Sequence, residues 1–239
     1  MLRVTLSLLL AATATTASEA QRPRNVTGPS LTVQAALRRG GLHEAARVSG
    51  GFFKTWGNAM PDLYISDLAQ VVGRSDAVVV GVPTSSKSHL SKDGSYITTD
   101  FRVVAEQVLM GDIPSGREIV VSVQGGRLQF ADGLAAEIEM LDMAPPEHGG
   151  RVVMMLWKNT WASDELVSWT NGAPLYSPAL GPLGMYTMGS TDSSKIQLHS
   201  DATQPVLTAH RGDSTGGFLR SVDAAIAKAN REKLAGRRR

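Results

Sequence analysis

The chain has 239 residues, 42% of them apolar and 19% charged, which is globular composition for one domain with a leader or tail and excludes wholesale disorder. Lysine and arginine number 24 against 22 acidic residues, and a formal charge of +2 is too small for the basic field with which a nucleic-acid binder neutralises phosphates. No cysteine is present, so disulfides, thiolate nucleophiles, Cys-ligated zinc, iron–sulfur clusters and a lipoprotein anchor are excluded.

Residues 1–20 read as a secretory signal peptide. Arg3 supplies the positive start, residues 4–12 form an apolar stretch too short to span a bilayer core of ~30 Å, and Ala14, Ala17 and Ala20 offer cleavage points. The expected product is secreted or periplasmic, of a bacterial export type, with no transmembrane segment after cleavage. Residues 21–60 carry Pro23, Pro29 and the pairs Gly40-Gly41 and Gly50-Gly51 without a sustained apolar period, and are expected to be a flexible N-terminal arm. Within it, 33–37 and 42–48 are helix candidates too short to be stable without packing. From residue 61 to the end the chain is expected to be one domain. It begins with a short helix in which Leu63, Leu68, Val71 and Val72 share a face and Asp62 serves as N-cap.

The core pattern starts at Ala77. Residues 77–82 are a Val-rich apolar run closed by Pro83; Asp93-Gly94 is a hairpin signal; and residues 96–105 alternate apolar and polar side chains. Residues 118–123 form a third strand stopped by Gly125-Gly126, so the three make a meander. A weaker strand at 137–140, a strong one at 151–157 and short candidates at 185–188, 195–198 and 206–209 follow. The spacing predicts an all-β core of OB-like or related small-barrel type. After Thr215, Phe218, Leu219, Val222, Ala225, Ile226 and Ala229 recur at three and four residues, predicting a C-terminal amphipathic helix over 216–235. Arg237-Arg238-Arg239 forms a basic end.

Four of these segments carry a resemblance. The run from Ser75 to Val82, the extended strand ending in Met110-Gly111, the Val-rich stretch 119–123 and Gly149-Gly150-Arg151-Val152-Val153-Met154-Met155-Leu156-Trp157 resemble a loose group of uncharacterised secreted bacterial proteins. In layout they are similar to the netrin-like modules of the tissue inhibitors of metalloproteinases, which implies a five-stranded OB-type barrel with flanking helices over about residues 62–188. The zinc-chelating N-terminal cysteine of those inhibitors has no counterpart here, so that inhibitory mechanism does not carry over.

Catalytic patterns are sparse. Gly212-Asp213-Ser214-Thr215-Gly216 matches G-x-S-x-G between the 206–209 strand candidate and a helix, the context of a nucleophile elbow, which makes Ser214 the one nucleophile candidate. No histidine follows Ser214, as an α/β-hydrolase order demands, and a helix-capping turn is the alternative. His43-Glu44-Ala45-Ala46-Arg47 lacks the second histidine of a zincin, and Glu137 with Glu139 lacks a third acidic partner for calcium; no metal and no cofactor is expected. For binding, Trp157, Trp161 and Trp169 fall within thirteen positions and Tyr176 follows. Trp161, Trp169 and Tyr176 are candidate binding residues for a peptide, protein or glycan. Against that, Trp157 shares a strand face with Val153 and Met155 as core, and Trp161 and Trp169 can pack as cross-strand partners. The sequence therefore favours a secreted non-catalytic binding protein, with a serine hydrolase using Ser214 and a structural envelope component as alternatives.

Overall fold

A computed structural model describes residues 30–59, 63–160, 169–200 and 204–236. The signal-peptide reading of 1–20, the start of the arm, the expected cap Asp62, Trp161 and the terminal arginines lie outside these residues.

The arm reading is corrected from residue 31 onward. Helix α1 (Leu31–Val48) starts on Ser30, whose hydroxyl accepts the Val33 N–H at 3.4 Å, and strand β1 (Phe52–Gly57) follows. Neither half of α1 could persist alone, but Leu42, Ala45, Ala46 and Phe53 are buried in a shared core, and that packing overrides the weak local signal. The glycine pair is used at a contact. Gly41 sits at φ +64° against the hairpin turn at Gly94, where a Cβ would meet the Gly94 carbonyl oxygen at 2.2 Å, and Leu42 N–H donates to that oxygen at 2.8 Å.

Helix α2 (Leu68–Gly73) is capped by Asp67, which accepts from the Gln70 N–H at 3.1 Å. The expected meander follows as β2 (Ala77–Leu90), β3 (Ile97–Met110) and β4 (Glu118–Gln124). Strand β2 continues past Pro83 because the pairing shifts register between Pro83 and Ser85, so the proline needs no ladder donor. At the β2–β3 turn the hydroxyls of Ser91 and Ser95 donate to Asp93 and hold its carboxyl at about 2.

The chain then passes through β5 (Gly126–Gln129), β6 (Ala135–Met140), β7 (Val152–Lys158), β8 (Leu175–Pro178), a 3₁₀ turn (Gly181–Gly184), β9 (Met185–Thr187) and β10 (Gln197–Leu198). Helices α3 (Pro205–His210) and α4 (Thr215–Gly236) finish it. The 206–209 strand candidate is thus corrected to helix: Pro205 stands in the first turn, and Val206 and Leu207 are buried side by side, which a one-sided strand does not allow.

The fold is mostly β-sheet with a few helices. Seven strands pair in the order β10-β9-β7-β2-β3-β4-β8, and three in the order β1-β6-β5 with β1 and β6 parallel. Strand β8 bonds β4 in parallel and β7 antiparallel, so the pairings β7-β2-β3-β4-β8-β7 return on themselves. Alternation along β2 and β7 divides the interior. Val79, Met154 and Leu156 join Phe101, Val121 and Tyr176 beneath α1 and the three-stranded sheet. Val78, Val80, Val153 and Met155 face the other way, under Phe218, Val222 and Leu207 of the C-terminal helices.

Gly41→Ala is expected to lower thermal stability by at least about 1–3 kcal/mol, because it combines a left-handed φ with a backbone clash. Gly50 is also at positive φ, but nothing lies within 4 Å of the place its Cβ would take, so Gly50→Ala is expected to lose less; paired melting curves check the difference.

Candidate functional site

A cavity of about 750 Å³ lies at the seam between the two sheets. Its apolar floor is built by Phe101 of β3, Val123 of β4 and Ile138 and Met140 of β6. Hydroxyls interrupt that floor: Ser88 and Thr99 bond each other at 2.9 Å, and Thr99 donates onward to the Gly125 carbonyl at 2.8 Å. Glu137 and Glu139 stand at the rim and both reach Lys54, at 2.9 and 2.6 Å, so their charge is shared with a cation rather than offered to a metal. Arg127 lies over the Phe52 ring at 5.3 Å.

The far wall, residues 141–146, is clamped by His199. Its Nδ1 donates to the Ala144 carbonyl at 2.7 Å, its Nε2 bonds the Thr187 hydroxyl at 2.8 Å, and the Ala144 N–H returns to the His199 carbonyl at 2.8 Å. Burial lowers the basicity of His199, partly opposed by the bond to Ala144 and the charge of Glu147.

A second cavity of about 410 Å³ shares Val123, Gln124 and Met143 with the first. Its lining adds His89, Thr98, Ser122, Trp157, Asn159 and Ser177. Next to it Asp100 is wholly buried on β3, with Oδ1 accepting the Ser122 hydroxyl and Oδ2 facing His89 Nδ1 at 3.4 Å. Desolvation raises the Asp100 proton affinity, while Ser122 and His89 pull it down.

The two described aromatic candidates, Trp169 and Tyr176, do not share a surface. Tyr176 is buried in the main core, where burial pushes its phenol up. Trp169 packs with Val120 and Leu175 on the opposite face of β8, beneath the Arg102 guanidinium at 4.9 Å. Trp161 lies outside the described residues. Trp157, expected in the core with Val153 and Met155, is 39% exposed because it stands near the strand end, beyond the covering helices.

Ser214 is a helix cap: its hydroxyl accepts the Gly217 N–H at 3.1 Å and its carbonyl the Phe218 N–H at 2.8 Å. The segment before it is α3, so the strand–turn–helix setting of a nucleophile elbow is not formed. His210 Nδ1 is bound to Asp213 at 2.8 Å and its ring packs edge-on against Phe218. His43 pairs with Asp132 at 2.8 Å on the surface. Among the described residues no group of three or more His, Asp or Glu side chains could hold a metal ion.

Sequence reasoning missed the grouping of His89, Asp100 and Ser122. The one available signal is Asp100, a carboxylate in the middle of an otherwise β-rich strand, and alternation assigns it to a solvated face.

No protein-family model matches the chain, and no curated protein matches it in sequence.

Two outcomes are expected. Ser214→Ala should destabilise the fold by about 1 kcal/mol through loss of the cap, measured by urea denaturation. His199 has its proton affinity lowered in the folded state, so its contribution is complete above about pH 6.5 and declines as pH falls below that value, when the unfolded chain takes up the proton first. Stability measured against pH should fall there with a slope of up to about 1.4 kcal/mol per pH unit, and the slope should flatten in His199→Gln.

Proposed function

We propose that the chain is a secreted, non-catalytic binding protein built on an OB-like barrel, which takes its ligand in the cleft between the two sheets. The leader pattern of residues 1–20 supports the location, and no helix among the described residues is long and apolar enough to cross a membrane. The returning pairing β7-β2-β3-β4-β8-β7, with one parallel contact between β4 and β8, supports the barrel. It is also the circuit that a likeness to netrin-like modules implies.

The observation that carries the functional reading is the cleft itself. A cavity of about 750 Å³ with an apolar floor, fixed hydroxyls and a charged rim has the size and make-up of a ligand site. Its acidic and imidazole groups are engaged in structure: Glu137 and Glu139 with Lys54, Asp142 with the Ala59 N–H, and His199 with Ala144 and Thr187. None of these is left to act as a base beside a nucleophile. The hydrolase alternative loses its support with Ser214 serving as a cap.

The test is retention on peptide arrays by the folded protein and by Ser88→Trp, which fills the cleft. Retention by the wild type that drops at least about tenfold in the variant, with melting unchanged, is the expected result. Equal retention by both proteins, or labelling of Ser214 by a fluorophosphonate probe, would overturn the reading.

A further inference from the structure

The smaller cavity holds chemistry that the cleft does not use. His89 comes from the end of β2, Ser122 and Gln124 from β4, Ser177 from β8, and Asn159 from just beyond β7. Behind them Asp100 is 0% exposed, and its Oδ2 has no hydrogen-bond donor. A buried carboxylate oxygen without a donor is costly, and an apolar residue at this point of β3 would be cheaper for the fold.

The two groups that Asp100 touches both line the cavity. Oδ1 takes the Ser122 hydroxyl proton, which leaves the Ser122 oxygen with its lone pairs for the cavity. Oδ2 faces Nδ1 of His89 at 3.4 Å with no hydrogen bond between them. The Asn159 amide donates to the Ser177 hydroxyl at 3.3 Å, orienting a further polar pair. Trp157, 39% exposed, adds a flat ring to the same lining.

We propose that this cavity binds a neutral sugar ring, with Ser122 as an acceptor pre-set by Asp100 and the His89 imidazole as a second polar contact. A hexose presents a ring of hydroxyls that both donate and accept, which is what the Ser122 acceptor, the His89 imidazole, the amides of Gln124 and Asn159 and an aromatic face complement. An anion finds no Lys or Arg in this lining, and an apolar ligand would strand its polar groups without partners. The volume suits as well: 410 Å³ holds on the order of a dozen water-sized groups at ~30 Å³ each, close to the heavy-atom count of one hexose. The site borders the cleft, sharing Val123, Gln124 and Met143 with it, but His89 and Ser122 line the smaller cavity alone of the two.

Saturation-transfer NMR on the full folded chain tests this, using glucose, galactose, mannose and N-acetylglucosamine as probes, with ethanolamine and acetate as charged comparators. A saturable signal is expected for at least one sugar and for neither charged probe. His89→Ala and Ser122→Ala should each weaken it about tenfold, the effect of one lost hydrogen bond, and the cleft-filling Ser88→Trp should leave it unchanged. The proposal is overturned if the folded wild type gives no saturable signal with any sugar, or if ethanolamine or acetate saturates instead. It is overturned equally if His89→Ala keeps wild-type melting and wild-type affinity, or if Ser88→Trp alone abolishes the signal, which would move the sugar to the cleft.

Discussion

A four-residue strand holds the sheet together. Leu175–Pro178 bonds Val120 and Val121 on one side and Leu156, Trp157 and Lys158 on the other. Without it β4 would expose an open edge, and the circuit of pairings would end there. The strand also divides two environments, since Tyr176 turns into the main core while its neighbour Leu175 turns out towards Trp169. Aromatic residues close together in sequence are thereby sent to opposite faces, which is why proximity along the chain did not produce a common surface.

Both cavities gather at the end of β4. Val123, Gln124 and Met143 contribute to each, and Gly125 and Gly126, both at positive φ, carry the chain from the larger sheet into the smaller one just beyond. At Gly126 a Cβ would meet the Thr99 hydroxyl oxygen at 2.0 Å, so the crossing requires a residue without a side chain. The same close approach fixes Thr99 in the floor of the cleft. Glycines that read as simple strand terminators in the sequence thus determine how the two sheets meet.

Most of the strands were legible because β-branched runs and turn dipeptides act locally, as in 77–82, 118–123 and the Asp93-Gly94 hairpin. What escaped depends on distant partners. Phe52–Gly57 has no alternation strong enough to mark a strand, and it exists because β6 pairs with it. Val206 and Leu207 look equally apolar in either conformation, and the buried surface of Phe218 and Val222 selects helix. The polar cluster around Asp100 was hidden for a related reason: Asp100 and Ser122 are register partners on β3 and β4, and His89 reaches them from β2, so only the assembled meander brings them together.

The parallel pairing of β1 with β6 has a kinetic meaning. Phe52 meets Ala135, 135 − 52 = 83 positions later, so the first ladder bond of this strand closes a long loop and costs more entropy than the hairpin pairings of the meander. The N-terminal helix and strand are therefore the last tenants of the fold: the meander can assemble as a local unit, and α1 with β1 docks once β6 has formed. Until then Phe53 and Leu42, which are buried in the folded chain, lack their core partners, which leaves residues 31–57 open to a chaperone or a protease.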